Sequence, residues 1–368
     1  MPTIELRSVS KHFGRVKALT DVSLTVDDGE YVVILGPSGC GKTTLLNMIS
    51  GILKPTKGHV LIDGQDVTRK AVEERNLSFV FQNIALFPHM TVRENVQYSP
   101  LVRGKSLEEV EGLTNDTLKL VELLGLDEKY PHELPAGTQQ KVALARAFAT
   151  EARLIILDEP ISALDPEVRV NLRHKLRQLV KKIGLTAIHV THDQDVAMSV
   201  ADRIILMKRG SIVQFARPED MYNKPQSLFE AFFVGQGNFL EGYIRKLTEN
   251  QVKIRFRHGK DVILDKQPFF PLLEEGQAVV VFSRPENVII RKEDKKNGLL
   301  GSIQRRVLMG GYVRYEIRTL TEDLILVDMR LTKRLMEVKE KVYVVFPPKT
   351  TLILKTPPNG LEEELRLE

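Results

Sequence analysis

The chain has a single cysteine, Cys40, and therefore no second cysteine with which to form an intrachain disulfide bond. Disulfides are common in secreted proteins and rare in reducing compartments, so this usage favours a cytoplasmic protein. The N-terminal residues lack the apolar segment that a secretory signal requires, so no signal is expected. No apolar run approaches the ~18 residues that span a bilayer. The sequence thus argues against secreted disulfide-rich proteins and helical membrane proteins.

Basic runs interleaved with aromatic residues are also missing, so we expect no nucleic-acid partner. The net charge of +5 lies in the C-terminal third, where residues 238–368 hold 24 Lys and Arg against 19 Asp and Glu. Such a surplus could attract an anionic ligand or a lipid surface. A solvated surface is the simpler interpretation, and we adopt it.

One stretch carries a clear chemical signal, the segment 31–44 with sequence YVVILGPSGCGKTT. Its first half is a run of β-branched and aliphatic residues, which predicts a short buried strand. A glycine-rich turn follows, and apolar residues then recur at helical spacing. Strand, G-x-x-x-x-G-K-T and helix in this order form the context that a phosphate-binding P-loop requires.

The residue types of the loop suit a nucleoside triphosphate. Glycines let consecutive backbone N–H groups turn around a phosphate, and the helix N-terminus adds a partial positive charge. Lys42 would reach the β- and γ-phosphates, while the Thr43 hydroxyl would bind Mg²⁺. The predicted nucleotide-binding residues are Gly36, Pro37, Ser38, Gly39, Cys40, Gly41, Lys42, Thr43 and Thr44.

Polar residues follow three other apolar runs, as expected at the ligand-binding edge of an α/β sheet. Gln82 ends LSFVFQ, and Asp158 and Glu159 end RLIILDE. The Asp is placed to hold Mg²⁺ and the Glu to orient the attacking water. His192 follows the strand TAIHV; a capped surface histidine is the alternative there. Phe13 is either a core residue or a platform for stacking a base.

The domain organisation is predicted from a change in the sequence pattern near residue 237, where helical segments give way to short stretches of alternating apolar and polar residues. We predict an α/β P-loop NTPase domain at 1–237, with a helical subdomain at about 85–155. Short alternating stretches beyond the Gly235–Asn238 junction predict a small all-β domain at 238–368, an OB-like barrel with a regulatory or dimerisation role.

Together these stretches resemble the ATP-binding subunits of ABC importers that carry a C-terminal β-domain. The resemblance implies that residues 36–43 are the Walker A motif and residues 154–158 the Walker B motif. It further implies that Glu159 is the catalytic carboxylate and Gln82 the Q-loop glutamine, which contacts Mg²⁺ and the water.

The same resemblance assigns four further positions. His192 would hold the γ-phosphate, and Phe13 would stack on adenine. Ser162 to Asp165 would form the D-loop. Ala85 to Pro88 would line the groove that receives a helix of the membrane permease.

The signature motif departs from the family pattern Leu-Ser-Gly-Gly-Gln. The matching residues are Leu134, Pro135, Ala136, Gly137 and Thr138. In the family this motif contacts the nucleotide bound by the partner ATPase, and a proline has neither hydroxyl nor N–H for that contact. Loss of one such donor typically costs ~3–4 kcal/mol. We therefore expect a heterodimer with an ATPase whose signature is intact; a slower homodimer is the alternative.

The resemblance implies an ATP- and Mg²⁺-dependent subunit that drives an inner-membrane permease from the cytoplasmic face, with a solute-binding protein as indirect partner. Polyamine, iron or oxyanion import is favoured over sugar import. Two alternatives are a soluble ABC ATPase outside transport and a nucleotide-gated regulator with weak hydrolysis.

Overall fold

A computed structural model describes residues 3–161, 166–256, 260–266, 273–293, 298–320, 322–331, 335–357 and 360–364. The chain divides into two compact units, Met1–Glu219 and Asp220–Glu368. Within the described segments, no helix has the length and hydropathy that crossing a membrane demands.

The first unit alternates strands and helices in the manner of an α/β protein. Its strands are β1 (Ile4–Phe13), β2 (Val16–Val26), β3 (Tyr31–Leu35), β4 (Lys57–Ile62), β5 (Gln65–Asp66), β6 (Leu77–Val80), β7 (Leu154–Asp158), β8 (Thr186–Val190), β9 (Arg203–Lys208) and β10 (Ser211–Ala216). Its helices are α1 (Lys42–Ser50), α2 (Val92–Val102), α3 (Leu107–Leu120), α4 (Ala136–Phe148), α5 (Pro166–Ile183) and α6 (Gln194–Val200). Helix α7 (Pro218–Asn223) spans the division between the units.

Two sheets build this unit. One has the strand order β10-β9-β3-β8-β7-β6, and its inner strands pair in parallel. The other, β2-β1-β4-β5, is antiparallel. Every residue of β3 and β8 is buried, as expected for strands covered on both faces. Helix α1 packs its apolar residues into the core that the two sheets share, so the loop before α1 is held firmly.

Helices α2, α3 and α4 form the predicted helical region. Thr91 and Ser106 cap α2 and α3 through capping boxes, which explains where these helices begin. Helix α4 packs against α2, α3 and β6. Leu124 follows the end of α3, and its side chain is exposed.

The second unit is mainly β-structure, which confirms the predicted all-β domain. It contains α8 (Leu228–Phe233), β11 (Asn238–Leu247), β12 (Gln251–Phe256), β13 (Asp261–Asp265), β14 (Ala278–Ser283), β15 (Ile289–Arg291), β16 (Gly298–Leu308), β17 (Tyr312–Thr319), β18 (Leu324–Arg330), β19 (Lys341–Val345), β20 (Leu352–Lys355) and α9 (Leu361–Glu364). Two five-stranded antiparallel sheets, β13-β12-β11-β14-β20 and β15-β19-β16-β17-β18, enclose one apolar core. Alternating burial along β12 and β17 matches the alternation in the sequence.

The segment 220–237 lies in this second unit, although the sequence places it before the predicted junction. Arg284, the residue that follows β14, contacts this segment: its Nη1 donates to the carbonyls of Ala231, Gly235 and Gln236 at 2.9–3.0 Å. The domain boundary at 237 stays a prediction.

Candidate nucleotide-binding site

Four neighbouring parallel strands, β3, β8, β7 and β6, end at one edge of the six-stranded sheet. The glycine-rich loop follows β3, His192 follows β8, Asp158 and Glu159 close β7, and Gln82 follows β6. Parallel pairing thus brings four segments that are distant in sequence to the same edge, where α/β sheets bind ligands.

Backbone packing requires glycine at two positions of the loop. A Cβ at Gly36 would lie 2.5 Å from the Met207 carbonyl oxygen. A Cβ at Gly41, where φ is +106°, would lie 2.8 Å from the Ala18 carbonyl oxygen. The loop is therefore pressed against β2 and β9 on its protein side, and a side chain at either position would displace it.

The Lys42 ammonium group is buried within the loop. Its Nζ donates to the carbonyl oxygens of Gly36 at 2.9 Å and Pro37 at 2.8 Å. The positive charge is thus held at the start of α1, next to the exposed residues Ser38, Gly39 and Thr43. This arrangement suits a polyanion approaching from solvent.

The residues behind the loop were not found by sequence reasoning. The Gly210 N–H donates to the Cys40 carbonyl at 2.9 Å, and the Thr20 N–H donates to the Gly210 carbonyl at 2.9 Å. The β9–β10 turn is thus hydrogen-bonded both to the glycine-rich loop and to β2, and it holds the loop on its protein side. A separation of about 170 residues leaves no local sequence signal for this contact. Burial raises the pKa of the Cys40 thiol, which stays a packing group.

Asp158 lies half-buried at the end of β7. Burial, and then the neighbouring Glu159, raise the pKa of its carboxyl, while Lys42 lowers it. Within the described part of the chain, no hydrogen bond or ion pair to this carboxylate is found. A partly desolvated carboxylate in this position is suited to a cation.

Glu159 is the centre of a polar cluster. Its Oε1 lies 2.9 Å from His192 Nδ1, and its Oε2 accepts a 3.4 Å hydrogen bond from Gln82 Nε2. Its own N–H donates to the Val190 carbonyl at 2.9 Å, and its φ is +46°. The three side chains predicted separately as Gln82, Glu159 and His192 therefore meet at one carboxylate.

Phe13 lies at the end of β1 and is 49% exposed, so it is not a core residue. The hairpin that it closes with Val16 continues into β2, whose Ala18 and Leu19 lie against Gly41. The ring is therefore presented to solvent on a hairpin whose second strand contacts the glycine-rich loop, as a stacking platform would be.

The signature residues lie at the start of helix α4. Pro135 caps α4 without a side-chain hydrogen bond, Leu134 is buried, and Ala136, Gly137 and Thr138 form the first turn. The N–H of Thr138 donates to the Pro135 carbonyl at 2.9 Å. Among the described residues, no hydrogen bond joins 134–138 to 36–43. The predicted D-loop residue Asp165 lies outside the described residues.

The donors at this edge fit Mg²⁺. Thr43 supplies a hydroxyl, Asp158 a carboxylate and Gln82 an amide oxygen, which are the hard oxygen ligands that Mg²⁺ prefers. Protein sites for Mg²⁺ with nucleotides typically use one or two such side chains and leave the other positions to phosphates and water. The chain thus offers a suitable partial ligand set.

Comparison with known proteins gives consistent results. A family model described as ABC transporter matches residues 19–162, and one described as TOBE domain matches residues 283–354. The spermidine/putrescine import ATP-binding protein PotA of Vibrio vulnificus is 39% identical over 312 residues, 84% of this chain and 82% of the relative. The Fe(3+) ions import ATP-binding protein FbpC of Rhizobium etli is 39% identical over 332 residues, 90% of this chain and 92% of the relative.

Among solved structures, a dimeric structure of MJ0796, a bacterial ABC transporter cassette, matches with a TM-score of 0.53 and 36% identity. The match covers 58% of this chain and 98% of that one. A dimeric post-hydrolysis state of the same cassette, bound to ADP and Pi, matches with a TM-score of 0.52.

Proposed function

Because the chain belongs to the ABC transporter family, among its import ATP-binding subunits, we propose that the strand-end site binds ATP with Mg²⁺ and orients water for its hydrolysis. The chain is the energy-coupling ATPase of an importer. The observation that carries the site assignment is the contact of Glu159 with both His192 and Gln82, beside the loop that holds the Lys42 ammonium group.

Each residue then has a physical role. Lys42 and the loop N–H groups neutralise the phosphates, and Thr43, Asp158 and Gln82 would hold Mg²⁺. Bound there, the ion would screen the charge on the phosphate oxygens. Glu159 accepts a hydrogen bond from the attacking water, and its contact with His192 fixes the direction of the carboxylate.

The test is turnover of the purified chain reconstituted with its permease. Glu159→Gln should lower steady-state phosphate release about 10²- to 10³-fold and leave ATP affinity nearly unchanged, because only water activation is lost. Lys42→Ala should instead abolish ATP binding.

A matched control is Glu151→Gln, which removes a carboxylate whose described ion pair is with Lys105. It should retain normal turnover. Normal turnover in Glu159→Gln, or normal ATP affinity in Lys42→Ala, would contradict the assignment.

We assign the membrane partner to the groove around Ala85 to Pro88. Phe87 packs against Tyr98 in a tilted arrangement, with ring centroids 4.5 Å apart and an interplanar angle of 47°, and Phe81 is 46% exposed, so aromatic surface is available for a permease helix. The subunit then acts at the cytoplasmic face of the cell membrane, and a solute-binding protein acts through the permease. The names of the relatives favour a polyamine or ferric iron as the solute.

The altered signature supports a heterodimer. A γ-phosphate at the start of α4 would meet Pro135, which offers neither hydroxyl nor N–H, and Ala136, which adds a Cβ where the family has glycine. We infer that this chain supplies intact Walker motifs to one site, and that a second ATPase supplies the signature.

Restoring Ser, Gly and Gln at 135, 136 and 138 tests this inference. The purified triple variant should hydrolyse ATP at least about tenfold faster than the parent, because a lost donor costs that much or more. Gln139→Ala, in the same helical turn, is the control and should give no gain. A triple variant no faster than the parent would contradict the donor-loss argument on which the heterodimer rests.

A further inference from the structure

Lys11 makes a contact that the nucleotide site described above does not explain. It precedes Phe13 by two residues on β1, so both side chains leave the same face of the strand. The Lys11 Nζ lies 5.1 Å from the centroid of the Phe13 ring. This distance is within the range of a cation–π interaction.

The ammonium group is also fixed from the other side. Its Nζ donates to the Lys54 carbonyl at 2.7 Å, in the turn that follows α1. Two nearby hydrogen bonds hold β1 to the same turn: Thr56 N–H to the Ser10 carbonyl at 2.8 Å, and His12 N–H to Thr56 Oγ1 at 3.0 Å. The cation therefore has a set position relative to α1, the helix that begins in the phosphate loop.

We propose that Lys11 is a positioning residue for the nucleotide base. It holds the Phe13 ring in one orientation and draws the ring's π electrons toward itself, so that the opposite face receives an electron-rich purine. The geometry supports this role. The Phe13 ring is half exposed, and the next strand of its hairpin, β2, contacts Gly41 of the glycine-rich loop through Ala18 and Leu19. The inference rests on the proposed function, ATP binding at the strand-end site, and on the role that the family resemblance implies for Phe13, stacking on adenine.

The effect of Lys11 must depend on the base. Any loss of positive charge near the site weakens every phosphate-bearing ligand, whereas a loss of ring positioning weakens only ligands that carry a base. The informative quantity is therefore the ratio of the Kd for inorganic tripolyphosphate to the Kd for ATP, both measured with Mg²⁺ on the full chain by calorimetry.

Lys11→Met should lower this ratio about two- to fivefold, the range that corresponds to an exposed cation–π contact. Lys11→Arg should retain the ratio, because a guanidinium can also lie over the ring. The matched control is Lys17→Met, which removes the same charge from the same hairpin at an exposed position with no described contact to the ring. It should leave the ratio unchanged.

Phe13→Leu separates this inference from its premise. If Phe13→Leu lowers the ratio while Lys11→Met behaves like Lys17→Met, Lys11 has no positioning role and the inference is wrong on its own. If Phe13→Leu leaves the ratio unchanged, Phe13 is not the platform and both statements are wrong. If the double variant Lys11→Met/Phe13→Leu lowers the Kd ratio no more than Phe13→Leu alone does, the lysine acts through the ring, as proposed.

Discussion

Gly41 of the glycine-rich loop shows how packing against the rest of the protein, rather than a bound ligand, restricts which residue can occupy a position. We predict that Gly41→Ala lowers the free energy of unfolding by roughly 3 kcal/mol, from left-handed backbone strain plus collision with the Ala18 carbonyl. ATP affinity should fall with it, because relief of the collision displaces the loop. Urea unfolding and ATP titration are the measurements.

Gly64→Ala is the matched control, because Gly64 also has a positive φ, of +74°, but its Cβ would meet open space. It should cost only about 1–2 kcal/mol, from strain alone, and leave ATP affinity intact. Equal losses in the two variants would contradict the packing argument.

His189 is a buried residue with a consequence for pH. It lies within β8, 1% exposed, with Nδ1 3.0 Å from the Tyr31 hydroxyl, and burial lowers its pKa to about 3. In the unfolded chain the His189 imidazole takes up a proton near pH 6.5, whereas in the folded chain it stays neutral down to about pH 3. The free energy of unfolding therefore falls as the pH drops below 6.5. We expect this residue to contribute a slope of about 1.4 kcal/mol per pH unit between 6.5 and 3.

Urea unfolding at pH 7 and pH 5 measures this slope. His189→Gln should flatten the pH dependence, because the replacement does not titrate. His132→Gln, at an exposed position, should preserve it. An unchanged slope in His189→Gln would show that other groups control the acid sensitivity.

At the scale of elements, Arg284 joins a helical segment to a β-strand. Besides the three carbonyls contacted by Nη1, its Nη2 donates to the Tyr222 carbonyl at 3.1 Å, and the guanidinium stacks on the Tyr222 ring at 4.2 Å. Burial lowers the pKa of Arg284, so these contacts offset a real desolvation cost. Arg284, the residue after β14, thus adds hydrogen bonds to the segment 222–236, whose helix α8 also packs against Phe282 of β14.

We predict that Arg284→Met lowers the free energy of unfolding of the second unit by about 3–5 kcal/mol, because it leaves buried carbonyls without donors. Arg318→Met removes an exposed arginine paired with Glu322 and should cost less than about 1 kcal/mol. Chemical denaturation followed by circular dichroism distinguishes them. A loss of unfolding free energy below about 1 kcal/mol in Arg284→Met would contradict this prediction and mean that water molecules hydrogen-bond the carbonyls in place of the guanidinium.

At the scale of the whole molecule, the second unit has its own apolar cores, one of which includes α8 residues Leu228 and Ala231 beside Phe282 of β14. A fragment of residues 220–368 should therefore unfold cooperatively on its own. A fragment of residues 238–368, cut at the boundary suggested by the sequence, loses α8 and the carbonyl partners of Arg284. We expect it to be less stable by several kcal/mol.

Size-exclusion chromatography and urea unfolding of the two fragments test this expectation. Matched stability would place the structural boundary at 237 after all, and aggregation of both fragments would show that the second unit does not fold alone.

Much of the site was predictable because its residues follow strands. The glycine-rich loop, Gln82, Glu159 and His192 each follow an apolar run, and a parallel sheet brings such positions to one edge. The prediction could not extend to the contact of Glu159 with both His192 and Gln82, because side-chain geometry depends on strand order. Nor could it find Lys11 behind Phe13, since a lysine on an alternating strand is usually a solvated residue.

The linear order of residues by itself determined which residue types stand at the candidate site: a glycine-rich loop that ends in a lysine, a carboxylate after a buried strand and an altered signature. The tertiary structure alone decided what supports them, including the Gly210 and Met207 backbone groups against the loop and the Arg284 contacts that draw 222–236 toward the β-strands. The physical reason is the distance along the chain over which each kind of interaction acts. Turn and strand preferences act over a few neighbouring residues, whereas a backbone group 170 positions away reaches the loop only after the sheet has formed.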